Sequence, residues 1–440
     1  MKKIIYWGLI LNLVFSAGIS GISFAQKGTI LRMLTCDEPY VAAIADIIPE
    51  YEAKYGVKVE ITSLSWMGIL EKSKLELSSG SSTYDIIHFD QWLAASFLTP
   101  DWLLPFGSFM NDPSLPALEP ELFLPRLSEG YGIDAQKGLP IYVNCIVMAY
   151  RKDLFNDPSE QADFLAKYGY ALGVPVTWSQ YADVAEFFTR DTTGDGSIDF
   201  WGVSLSLSIG PAFDEWQVRY KAFKPIEGDK WILDKNNKPI FNNEKGYKAL
   251  QDLVDLYERG VAPPGAFDRF WGDHANPMIA GKCATAYTWA QTYRLFEDVE
   301  IGKNIGYAPL PFYEIPNTNQ GGWIMGINKK SKHPREAYRL MAWLISPEND
   351  LRMAKFGTGS PVRITSYQDE QLMAEIPLMK AMGDSYRYAT FVPDIPEFEE
   401  VYTEISIAVQ NAITGKETVK EALDGAASRL DKVMRRAGYY

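Results

Sequence analysis

The side chains best suited to recognising a small molecule in this 440-residue chain are aromatic. It holds 12 Trp and 25 Tyr, and five indoles stand beside residues that favour turns. Trp66 follows Ser65, Trp92 follows Asp90-Gln91, Trp271 precedes Gly272-Asp273, Trp289 follows Thr288, and Trp323 follows Gly321-Gly322. A sugar-like solute presents an apolar C–H face and a rim of hydroxyls. A site for it needs flat aromatic platforms with Asp, Asn, Gln or Arg at their edges. Core packing is the better account of any single indole, but five at loop or strand-end positions point to a shared cleft.

The usual catalytic signatures are absent: no GxxxxGKS/T phosphate loop, GxGxxG turn, HExxH pair or GxSxG elbow occurs. His88, His274 and His333 have no metal-ligand spacing to one another, and His88, in a predicted strand, reads as a hydrogen-bonded packing residue. Acidic residues are numerous enough to leave a glycosidase-type carboxylate pair open. Asp191, Thr193, Asp195 and Asp199, with Gly196 at the sixth position, follow the oxygen spacing of a calcium loop. Gly202 stands where such a loop needs a bidentate Glu, so the segment reads either as a surface turn or as a structural calcium site. No other cofactor is expected. Cys36, Cys145 and Cys283 lie in apolar runs without CxxC spacing and read as buried small hydrophobes, with one disulfide left open.

The elements that must position the aromatic groups are also visible. With 56 acidic against 43 basic residues the net charge is −13, which disfavours nucleic acid and anionic membrane surfaces as partners. A composition of 47% hydrophobic and 22% charged residues supplies a large core, and the length suits two core-bearing units. Met1–Ala25 has a basic start, an apolar middle and small residues before Gln26, the pattern of a cleaved secretory signal. No later apolar run is long enough to span a membrane, so a soluble periplasmic or extracellular protein is expected.

Strands are predicted at 28–34, 57–61 and 84–89, with helices at 40–55 and 68–78 between them. That alternation implies a mostly parallel sheet, with ligands beyond the carboxyl ends of its strands. Further extended runs are predicted at 139–150, 321–328 and 359–364. Helices are predicted at 334–345 and 397–435, the latter broken at Gly415 before Thr418.

Taken in order, YEAKYGVKVEI (51–61), LELSSGSSTYDIIHFD (75–90), LPIYVNCIVMAYRKDLF (139–155), DTTGDGSIDFWG (191–202) and IAGKCATAYTW (279–289) resemble the extracellular solute-binding proteins of sugar-type ABC importers, the maltose-binding-protein-like group. GGWIMGINKKSKHPREAYRLMAWLISPE (321–348), GSPVRITSY (359–367) and AVQNAITGKETVKEAL (408–423) continue the likeness, which covers 26–440. Cys283 and Tyr287-Thr288 depart from the family's usual residues.

The resemblance implies an α/β, two-lobed periplasmic-binding-protein-like fold whose discontinuous lobes, 26–147 plus 326–358 and 148–325 plus 359–440, are joined by three hinge crossings. It implies a monomer that captures a sugar or polyol by hinge closure and hands it to a membrane permease. By position it places Glu38, Asp90, Gln91, Trp92, Asn144, Trp289, Gly322, Trp323, Arg363 and Tyr402 in the ligand cleft, and by region Phe213, Trp216, Trp66 and Trp271. Arg363 reads equally well as a structural hinge element. A secreted glycoside-active enzyme is the rival from another class, and a phosphorylated polyol is a disfavoured ligand because few basic residues map to the cleft.

Overall fold

The computed structural model describes residues 28–119, 123–124, 137–228, 230–296, 299–358 and 360–440. The expected signal segment, 1–25, lies outside them.

The amino-terminal strand–helix alternation forms as expected. Ile30–Cys36 (β1) leads into a helix, Pro39–Tyr55, which buries Ala43, Ile44, Ile47 and Tyr51 and ends at Gly56 with φ 69°. That left-handed geometry costs glycine little. Lys58–Leu64 (β2) pairs in parallel with one edge of β1, and Ile86–Asp90 (β3) with the other. Between them the helix Trp66–Ser78 starts at Ser65, whose hydroxyl accepts the Gly68 N–H. Parallel neighbours need crossovers, and these helices supply them while covering the sheet. The carboxyl ends of β1, β2 and β3 therefore open on one edge, carrying Asp37-Glu38, Ser65-Trp66 and Asp90-Gln91-Trp92.

The centre is built by two long strands. Leu139–Arg151 (β4) changes partners along its length. Leu139 to Cys145 pair antiparallel with Thr318–Ile327 (β8), which itself pairs with β3. From Ile146 onward the neighbours of β4 are Cys283–Trp289 (β6) and Ile305–Ala308 (β7). Trp201–Val203 (β5) extends this side in parallel with β6, and Ala389–Thr390 (β9) pairs with the start of β8. The strand order is β2-β1-β3-β8-β4-β6-β5.

Several expectations need adjustment. Within the extended run expected at 359–364, residues 360–364 do not form a strand. Arg363 makes an isolated bridge to Phe123, and Ile364–Gln368 is a 3-10 turn. The carboxyl-terminal helical run does divide, into Phe398–Ile413 and Val419–Arg436, with Gly415 at φ 69° between them. Thr418 and Glu421 form a reciprocal capping box at the second start. All three cysteines are buried and free, one in each of β1, β4 and β6.

The 191–199 loop is closed by its own backbone. Asp191 accepts the N–H groups of Thr193, Gly194 and Gly196, and Asp199 accepts those of Thr192 and its hydroxyl. The carboxylates at Asp191 and Asp199 are thus occupied, and Thr193 and Asp195 turn to local bonds. Among the described residues no group of three or more His, Cys, Asp or Glu side chains is placed to hold a metal ion, so the calcium expectation gains no support.

Candidate ligand-binding cleft

A cleft of about 480 Å³ opens where the carboxyl ends of β1, β2 and β3 face β4, β6 and β8. Its walls carry all five indoles: Trp66, Trp92, Trp271, Trp289 and Trp323. Glu38, Asp90, Asn144 and Gly322 also line it, so nine of the fourteen expected site residues meet there.

Two carboxylates fix the indoles, one on each wall. Asp90 ends β3, and its Oδ2 accepts the Trp66 indole N–H at 2.8 Å while its Oδ1 accepts the backbone N–H of Trp92 at 2.8 Å. Opposite, Asp214 in the helix Pro211–Tyr220 accepts the indole N–H of Trp271 at 2.7 Å and of Trp289 at 2.9 Å through its Oδ2. Its Oδ1 takes Gln217 Nε2 at 2.8 Å and Asn319 Nδ2 at 3.4 Å. Held this way, Trp92 meets Trp289 edge-on at 5.4 Å and Trp271 at 6.1 Å, and Trp66 meets Trp271 at 5.5 Å. These are the tilted geometries that ring quadrupoles prefer.

Backbone geometry brings β8 into the same space. Gly322 has φ 147°, and a Cβ there would lie 2.1 Å from the Tyr142 carbonyl oxygen. A Cβ on Gly321 would lie 2.9 Å from the Trp289 ring. Only glycines let this strand pass between Tyr142 and the indoles. Trp323, expected beside a loop, sits inside β8, paired with Asp90 and Tyr142, and is 4% exposed.

Burial governs the charges. It pushes Glu38 up to about 8, with the charges of Asp90 and Asp37 adding to the effect and the Trp323 side chain opposing it. Asp90 rises to about 6, against the pull of its Trp66 and Trp92 bonds. Asp214 rises to about 7 despite its donors, from burial first and the nearby Glu215 last. Below the floor, Tyr40 stacks on Tyr142 at 5.1 Å and shares Thr35 Oγ1 with His88. Desolvation lowers His88 to about 3, so it is the neutral hydrogen-bonded packing residue that its strand position suggested.

Five expected residues lie elsewhere. Gln91 points to a neighbouring cavity of about 430 Å³, separated from the cleft by Trp92, which lines both. Phe213 is fully buried behind Trp92, at 5.7 Å edge-on, and Tyr402 backs the same ring at 6.4 Å. Trp216 stacks on Tyr220 at 4.8 Å and donates to the Gly246 carbonyl. These three support the aromatic wall from inside the core. Arg363 is buried away from the cleft, donating to the Ile345 carbonyl and to Glu119 over the Phe123 ring. Its contacts are those of a structural residue, and it is not among the residues lining the cleft.

Sequence reasoning missed Asp214, Tyr142, Phe270 and Gln291. Tyr142 and Asn144 stand two apart on one strand and so share a face, a signal that was present. Asp214 sits between Phe213 and Trp216, and an acid inside an aromatic run is the cue that marked it.

A family model for bacterial extracellular solute-binding proteins matches residues 46–381, and the chain belongs to that family. A probable amino-acid ABC transporter periplasmic-binding protein of Sinorhizobium fredii is 24% identical over 428 residues, covering 94% of this chain and 91% of its own. The mannitol-binding protein of Pseudomonas aeruginosa is 23% identical over 411 residues, covering 86% and 87%. Among solved structures, an ABC transporter solute-binding protein of Agrobacterium radiobacter K84 in complex with ribitol superposes with a TM-score of 0.77 at 21% identity, over 92% of this chain and 99% of that one. Maltose-bound MalE3 of T. maritima gives 0.77 at 21%, over 92% and 100%. The fold is thus the two-lobed α/β fold of the periplasmic binding proteins. Among the described residues no helix is long and apolar enough to cross a membrane.

Proposed function

We propose that this protein captures a sugar or polyol outside the cytoplasmic membrane, after removal of residues 1–25, and delivers it as a monomer to an ABC permease. The lobes would be 26–147 plus 326–358 and 148–325 plus 359–440, hinged where β4 and β8 run from one to the other and near 358–362. A ligand touching both walls binds the closed arrangement better than the open one, and that difference drives closure.

The observation that carries this reading is the cleft of five indoles with carboxyl, amide and hydroxyl groups at their edges. Relatives named for mannitol and structures holding ribitol or maltose support it. The relative named for amino acids raises a different ligand. An α-amino acid or a phosphorylated polyol brings an anionic group that calls for Arg or Lys, and among the described residues none of these lines the cleft. A hydroxylated solute fits better. The chain is read as a carrier that returns its ligand unchanged.

Thermal-shift screening of the purified protein against mono-, di- and oligosaccharides, polyols and amino acids tests this. A ligand at a hundred times its dissociation constant stabilises the fold by about 2.7 kcal/mol through mass action. Stabilisation by a sugar or polyol without turnover of it is the expected result. Stabilisation by amino acids alone, or hydrolysis of a labelled oligosaccharide, would overturn it.

A further inference from the structure

We infer that the solute is amine-bearing: a hydroxylated ring or chain with a protonated amino group, its ammonium directed at Glu38 and Asp37 and its apolar face on the indoles. This rests on the solute-binding reading above and narrows its ligand class.

The cleft is one-sided in charge. Asp37, Glu38 and Asp90 all line it, and among the described residues no lysine or arginine does. Arg294 reaches Tyr142 electrostatically but is neither a lining residue nor among the charges acting on Glu38 or Asp90. Buried or half-buried carboxylates are normally paired with a cation or saturated with donors. Asp90 is saturated, since both of its oxygens accept N–H groups of the tryptophans. Glu38 is not: its Oε2 is buried without a hydrogen-bond partner.

A second group lining the cleft is also unpartnered. The Trp92 indole N–H, in a residue 6% exposed that lines the cleft, has no partner. An unpartnered carboxyl oxygen and a lone indole donor in one cleft ask for a ligand that brings both donors and acceptors. Ammonium and hydroxyl groups on one carbon skeleton supply both. The indole faces add attraction for a cation that a neutral hydroxyl does not receive. Burial first, and then the charges of Asp90 and Asp37, raise Glu38 to about 8, so without ligand it is largely protonated at pH 7; a bound ammonium opposes that rise and draws out the carboxylate as the proton leaves.

The test is calorimetric titration of the full chain at pH 7 and low salt with matched pairs differing only by hydroxyl against ammonium. Suitable pairs are glucose and glucosamine, galactose and galactosamine, sorbitol and glucamine, and short cello- and chitosan-oligosaccharides. In at least one pair the ammonium member should bind at least tenfold more tightly, and its N-acetyl derivative should lose that advantage. E38Q and D37N, checked for folding by circular dichroism, should each reduce the ammonium-to-hydroxyl ratio several-fold. Neutral members that bind as tightly as their amine partners in every pair would overturn the inference and leave the sugar or polyol reading standing. A panel in which no member binds would overturn both.

Discussion

Replacing Asp214 by Asn should change stability in a way that depends on pH with a definite sign. The carboxyl group is 6% exposed and surrounded by four donors: the indoles of Trp271 and Trp289, and the amides of Gln217 and Asn319. Its pKa in the fold is raised from 3.8 to about 7. A group whose folded pKa is raised holds its proton more tightly when native, so stability falls as pH climbs from about 4 to about 7 and is level above that. At 1.36 kcal/mol per unit the change is about 4 kcal/mol, an order-of-magnitude figure. Asn has no such titration, but its amide nitrogen must face two of the four donors, which costs about 1–3 kcal/mol at every pH. The wild type should therefore be the more stable protein at pH 5, and its advantage should shrink or reverse by pH 8. Urea unfolding of the two ligand-free proteins in parallel, followed by circular dichroism at several pH values, measures the difference. A stability difference that stays constant within 1 kcal/mol from pH 5 to pH 8 would refute the reasoning, because Asp214 would then be no buried, titrating clamp on the indoles.

Two further substitutions separate binding from support. Trp66→Phe keeps a flat face but deletes the N–H bond to Asp90, whereas Trp66→Ala deletes both. With stacking worth about 1 kcal/mol and tenfold per 1.4 kcal/mol, the alanine variant should bind a screened ligand about fivefold more weakly in calorimetry and the phenylalanine variant less than twofold. Equal losses would show that the ring face contributes nothing. Arg363→Met should lower unfolding free energy by about 3 kcal/mol, since Asp350 and the Ile345 carbonyl lose a buried cation and donor. Its dissociation constant should remain within twofold of wild type, and a larger change would return Arg363 to the ligand contacts.

The first half of the fold was legible because its elements have contrast. The helix Pro39–Tyr55 alternates buried and exposed faces, Gly56 and Gly415 mark turns by their freedom at positive φ, and Thr418 with Glu421 announces a helix start. Contrast fails where everything is buried. The helix Pro211–Tyr220 is enclosed on all sides, so periodicity could not tell that Phe213 and Trp216 back the wall while Asp214 grips it. Most of β4 is equally enclosed on both faces, which hid Tyr142 beside Asn144.

Residue type and local order thus determined that this chain would carry indoles and acids at the ends of parallel strands, because propensity, capping and turn chemistry act over a few neighbours. Which acid holds which indole was decided only by folding. Asp214 meets partners 57 and 75 positions away, at Trp271 and Trp289, and β4 exchanges β8 for β6 between Cys145 and Ile146. Contacts at such separations depend on how whole strands and helices pack, and no short stretch of chain contains that information.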